Sequence, residues 1–185
     1  MRKIRGFKLV LRPHEVKRRA KKTGLVLEAA GLSDPVLAKT LDRLGRGLAP
    51  GVLFETFGSQ DPDQGLLSPM PGLAYSLVLS TLGRGFAPVR GCEPLPEGLW
   101  PVLEETALDE CVRFATTILA DEAEKDNCEL SPLTNLAESA ALEAVLRKLD
   151  GAKLGVSLAA GALSPPASSA VSLSWLAKSK IKGRK

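Results

Sequence analysis

The longest helix the sequence predicts covers residues 102–125. There Leu108, Cys111, Val112, Ala115, Ile118 and Leu119 recur along one face, while Asp109, Glu110, Arg113 and Glu122 mostly lie elsewhere. Such an apolar stripe has to be buried against another layer of secondary structure. Short strand-like runs at residues 52–57, 73–79, 154–158 and 171–175 supply candidates for that layer. Three further helices are predicted. The first, over residues 13–22, has Val16 and Ala20 as a thin apolar face and stops at Gly24. The second opens at Ser33 as N-cap with Pro35 in its first turn, carries Val36, Leu37, Leu41 and Leu44, and ends at Gly45 and Gly47. The third lies within residues 132–150, with Leu142, Val145, Leu146 and Leu149 in register and Gly151 as C-cap. Loops rich in proline and glycine fill residues 58–72 and 87–101. Helices and strands do not alternate strictly. The expected class is therefore α+β, a twisted, mainly antiparallel sheet flanked by long helices. Residues 1–177 are read as a single domain and residues 178–185 as a basic tail.

The formal net charge of +4 is unevenly distributed. Residues 1–22 hold ten basic residues and one acid, residues 178–185 hold five basic residues, and residues 23–177 hold ten basic and twenty acidic ones. Basic ends of this kind could bind phosphate backbones, but Phe7 is the only aromatic residue among the first 22, so base stacking has little support. Complementing the acidic body is the better reading, and nucleic acid is not an expected partner. No apolar run approaches the ~20 residues of a membrane-spanning helix, and the start of the chain lacks the apolar core of a secretory signal. The three cysteines, Cys92, Cys111 and Cys128, form no CxxC pair, which fits reduced thiols and a cytoplasmic location. His14 is the only histidine, so no metal site is expected and a histidine-based nucleophilic mechanism has no local signature. Gly83-Arg84-Gly85 lacks the spacing of a phosphate-binding loop and reads as a turn. Cys111 reads as a small core residue, and the acidic pairs Glu104-Glu105 and Asp121-Glu122 as solvated surface.

More specific is the order of motifs over residues 129–173. Ser131-Pro132 precedes a helix closing at Leu149-Asp150, followed by Lys153-Leu154-Gly155-Val156-Ser157-Leu158 and then by Pro165 and Ser168. Thr81-Leu82-Gly83 and the long acidic helix stand upstream in matching order. This arrangement resembles the activation domain of vitamin B12-dependent methionine synthase, a family that also has stand-alone members. The resemblance implies an α+β fold that binds S-adenosylmethionine and supports reductive methylation of a cobalamin cofactor. That corrinoid would be carried by a partner methyltransferase or corrinoid protein, with electrons from a separate reductase. Carried over by position, the ligand-binding residues would be Glu110, Ser131, Pro132, Pro165 and Ser168. Few catalytic side chains would be needed, and none is identified, because the sulfonium and the cobalt supply the reactive bonds. Each position also has a structural reading: Pro132 can open a helix, Ser168 can cap a turn and Glu110 can be solvated surface. Glu129 stands where the family has arginine, Leu133 and Thr134 where it has glycine and tyrosine, and Ala167 where it usually has lysine. These departures motivate the alternative of a non-catalytic docking module for a corrinoid protein that has lost S-adenosylmethionine binding.

Overall fold

The computed structural model describes residues 1–86, 90 and 95–178. Cys92, most of the basic tail and part of the loop expected over residues 87–101 lie outside the described residues. In chain order the elements are β1 (Arg2–Arg5), α1 (Pro13–Lys22), α2 (Asp34–Gly47), β2 (Gly51–Gly58), α3 (Gln64–Leu67) and β3 (Ala74–Thr81). They continue as α4 (Leu99–Lys125), β4 (Cys128–Leu130), β5 (Thr134–Asn135), α5 (Ser139–Leu149), β6 (Ser157–Ala159), β7 (Ala162–Ser164) and β8 (Ser168–Ala177). One antiparallel sheet runs β1-β2-β3-β8-β4, with β5 also on β8, while β6 and β7 form a separate hairpin. The chain is thus α+β with an antiparallel sheet.

The two central strands are buried on both faces, and alternation along them separates two cores. Val52, Phe54, Val78, Val171, Leu173 and Trp175 face α1, α2 and α4. Leu53, Tyr75, Leu77, Leu79 and Ala170 face α5, whose Ala141, Leu142, Val145 and Leu149 close the second core. Cys111 is fully buried in the first core, where burial, assisted by the neighbouring Glu110 charge, pushes its thiol up to about 12. That is the setting of an inert core residue.

Residues 2–5, within the basic start of the chain, form edge strand β1 on β2, and Arg2 donates to Glu122 of the acidic body on α4. Three expectations need correction. The third predicted helix starts only at Ser139, because Thr134 and Asn135 pair with Ser172 and Val171, and Leu136 N–H donates to the Ala170 carbonyl. A sheet edge offering backbone partners outweighs local helix propensity here. The strand expected over 154–158 is mostly a 3₁₀ turn, Gly151–Leu154, followed by Gly155 at φ 73°. Only Ser157 onward is extended, and it pairs with β7, not with the main sheet. Helix α2 runs through Gly45 to Gly47; Gly45 lacks a side chain because the Leu9 carbonyl oxygen lies 2.7 Å from where its Cβ would be.

The loop over residues 58–72 is folded down onto the second core. Leu67 of α3 is buried, Tyr75 donates to Asp61 at 2.9 Å, and Lys148 of α5 reaches Asp61 at 2.7 Å and Asp63 at 3.1 Å. Arg147 adds a bond to Asp63 at 2.9 Å. For Asp61, burial acts against ionisation but is outweighed by Lys148, the Asp63 N–H and Tyr75, so its carboxyl sits below the usual range. Lys148 and Arg147 likewise hold Asp63 low. Depressed carboxyls contribute stability that is complete above the unfolded value near ~4 and is lost as pH falls through the folded value. Lys148→Met is therefore expected to lower the urea midpoint at pH 7 and to differ much less from the native chain at pH 3. An equal deficit at both values would mean that packing of the lysine stem, and not its charge, fastens the loop.

Candidate functional site

A cleft with a volume of about 660 Å³ opens beside the N-terminal end of β8. Small-molecule sites typically span ~300–1,000 Å³. Its walls come from four places: Leu108 and Val112 on α4, Leu133 to Ala137 around β5, the hairpin from Ala159 to Ser164, and Ser168 to Val171 on β8. Why these segments meet follows from the backbone. Strand β8 is covered by β4 and β5 only from Val171 onward, so residues 168–170 have no strand on that side beyond the single bond from Leu136 N–H. The hairpin then folds over this edge through a two-residue turn, Ala160 at φ 50° and Gly161 at φ 79°, the backbone signature of a tight primed turn.

The polar side chains of the cleft are Asn135, Ser164, Ser168 and Ser169 on its walls and two carboxylates at its mouth. Ser168 donates its hydroxyl to Thr81 Oγ1 at 2.9 Å, and Thr81 in turn donates to the Ala167 carbonyl at 3.2 Å. The Ser168 oxygen therefore faces the cleft with lone pairs and no free proton. Ser169 shares its proton with Ser80 at 2.9 Å. At the mouth stand Glu105 and Asp109, one helical turn apart on α4 and both exposed. Arg19 of α1 reaches them, Nη2 to Asp109 at 2.6 Å and Nη1 to Glu105 at 3.1 Å, while its Nε donates to Glu15 at 2.7 Å. Burial works against the Arg19 charge, but bonds to Glu15 and Asp109 outweigh it and hold the guanidinium firmly protonated. Arg18 also pairs with Glu15, at 2.6 Å, so Glu15, Glu105 and Asp109 together face two cations and the mouth keeps a negative balance.

The residues carried over from the resemblance separate into three groups. Ser168 lines the cleft, and Pro165, joined to Ser164 by a cis bond, sits between the lining residues Ser164 and Pro166. Ser131 is buried beside β8: its N–H donates to the Ser174 carbonyl and its Oγ accepts from Ser174 N–H at 2.8 Å, so it fastens β4 to β8. Pro132 is exposed on the connection from β4 to β5 and opens no helix. Glu110 points away from the cleft, pairs with Arg113, and lines a different groove against residues 7–12. Glu129 lies on β4 opposite Leu176, outside the cleft, whereas Leu133 lines it. The sequence placed the acids at the mouth only as surface, Glu105 in a solvated pair and Asp109 off the apolar face of the long helix. Their i, i+4 spacing beside Leu108 and Val112 allows a shared face but does not mark a cleft. Among the described residues no cluster of His, Cys, Asp and Glu could hold a metal, and no helix is long and apolar enough to cross a membrane. No protein-family model matches the chain, and no curated protein matches it in sequence.

Proposed function

We propose that this chain is a cytoplasmic relative of the cobalamin-dependent methionine synthase activation domain, and that its cleft holds S-adenosylmethionine for reductive methylation of a corrinoid on a partner methyltransferase. The observation that carries this reading is the make-up of the cleft: a largely apolar lining, with the Ser168 oxygen as an acceptor and the carboxylates of Glu105 and Asp109 at the mouth, suits a ligand bearing a sulfonium and an ammonium. When bound, that sulfonium would supply the methyl group, and a reductase would supply the electron to the partner's corrinoid. The chain's own residues would bind and orient. Leu108, Val112 and Leu163 would enclose the apolar parts of the ligand, and Glu105 and Asp109 would attract its cationic end at the mouth. Glu110, Ser131 and Pro132 take no part in this arrangement; Ser168 and the Pro165 segment do.

A second reading has one observation in its favour. Leu133 is 49% exposed at the cleft, where the family has a glycine that lets the backbone approach the ligand. An apolar side chain there suits a docking module for a corrinoid protein that no longer binds S-adenosylmethionine.

Titration calorimetry separates the two. Under the first reading the native chain binds S-adenosylmethionine in the micromolar range, and the neutral thioether S-adenosylhomocysteine at least about tenfold more weakly. Ala162→Trp, a change at an exposed position of the cleft wall, abolishes the heat without altering the melting transition. Absence of heat with the native chain, together with binding by a Leu133→Gly, Thr134→Tyr variant, would replace the first reading by the second.

A further inference from the structure

A different surface carries an inference that is independent of what occupies the cleft. Residues 7–12 run between β1 and α1 with Leu9 and Leu11 buried and Lys8, Val10 and Arg12 exposed, the period-two pattern of an extended chain. Among the described residues, no backbone hydrogen bond is made by Lys8, Leu9, Val10 or Leu11. Nor does Lys8 or the Arg12 side chain have an ion pair. The Leu9 carbonyl lies against Gly45 of α2, so one edge of this segment is closed. In an extended chain, adjacent residues turn their N–H and C=O groups to opposite sides. Those of Lys8 and Val10 therefore face the other edge, along a groove of about 540 Å³ bounded by Arg113, Phe114 and Ile118 of α4. Phe7 stacks on Phe114, with ring centroids 4.4 Å apart, and closes one end of its apolar floor. Val10, 55% exposed, stands on the rim. The charges in the groove are Lys8, Arg12 and the mutually paired Arg113 and Glu110, a positive balance.

We infer that this groove accepts an extended acidic peptide segment of a partner protein, added as a strand along residues 7–11. Unpaired backbone groups on an exposed extended segment are what such strand addition uses for affinity, and alternating side chains give it specificity. Here the peptide's N–H and C=O groups would meet those of Lys8 and Val10. Its carboxylates would meet Lys8 and Arg12, and its apolar side chains would enter the floor formed by Phe114 and Ile118. Nucleic acid would use the two cations but neither the backbone edge nor the aliphatic floor.

The test is fluorescence polarisation of the full chain with a labelled hexapeptide of alternating glutamate and valine. Saturable binding is expected, weakened at least about tenfold by a Lys8→Glu, Arg12→Glu variant and by the same peptide N-methylated at alternate backbone positions. Hydrogen exchange should show protection of the Lys8 and Val10 amides when the peptide is bound. Both substituted positions are exposed, so the variant should keep its melting transition, which is checked by circular dichroism. Equal affinity for the N-methylated peptide would leave only a charge patch and overturn the inference. No binding, or tighter competition by a single-stranded oligonucleotide than by the unlabelled peptide, would do the same.

Discussion

Replacing Trp175 by alanine is expected to lower the free energy of unfolding by about 3–5 kcal/mol, read as a fall in the urea midpoint at unchanged slope. The indole is 5% exposed and sits in the first core on β8, where its residue pairs with Ala74 of β3 on one side and Leu130 of β4 on the other. Losing it leaves a void that neither neighbour can fill, because both are fixed by backbone pairing. The hydrogen bond it makes is a smaller part of the effect. Its Nε1 donates to Ser76 Oγ at 2.8 Å, but Ser76 also shares a bond with Thr56 at 2.7 Å and is not orphaned when the indole is removed. Trp175→Phe keeps most of the ring volume and should cost only about 1 kcal/mol. The two variants together separate packing from hydrogen bonding. A loss for alanine no larger than for phenylalanine would mean that the first core closes over the gap, contrary to its packing between two strands.

Much of this core could be read from sequence because it rests on local periodicity. Residues 13–22 form a helix with the predicted bounds, since Val16 and Ala20 share one face and the chain turns just beyond. The apolar positions predicted for the long helix are buried at Cys111, Val112, Ala115 and Leu119, although the helix starts three residues earlier, at Leu99. Strands without a local pattern could not be found. β1 is charged at Arg2, Lys3 and Arg5, the composition of a protected edge, and it exists only because Ile4 and its neighbours pair with β2. β4 and β5 are stretches of three and two residues whose partner, β8, lies some forty residues away. The Ala160-Gly161 turn lacks the asparagine or aspartate that signals such hairpins. Site residues divide in the same way. Ser168 could be found from motif order. Glu105 and Asp109 acquire a role only through the fold, because Arg19, ninety residues upstream of Asp109, joins them and α4 turns them toward β8. An adjacent pair such as Glu104-Glu105 carries no mark of which member faces a cleft.

The turn after α5 links stability to the candidate site. Gly151 was read as the helix C-cap, but the residue in the left-handed region is Asp150, at φ 49°. Gly151 is required for a different reason. A Cβ there would lie 2.3 Å from Leu146 Cδ2 and 2.9 Å from the Val156 carbonyl oxygen. Rotation of Leu146 could relieve the first contact. It could not relieve the second, since Val156 N–H is bonded to the Gly151 carbonyl at 3.0 Å and holds the two stretches of chain together. Gly151→Val should therefore cost about 3 kcal/mol, the upper end of typical overpacking losses. Residues 151–156 lead directly into β6, and the hairpin it begins forms a wall of the cleft. The same variant should weaken any ligand of the cleft even under conditions where the chain stays folded, while binding in the groove beside residues 7–12 stays unchanged. Asp150→Gly is the matching control. It relieves the left-handed strain and removes only an exposed pair with Lys153, so stability should stay level or rise by about 1 kcal/mol. A native-like midpoint for Gly151→Val would show that the turn can open, and would remove the mechanical tie between α5 and the cleft.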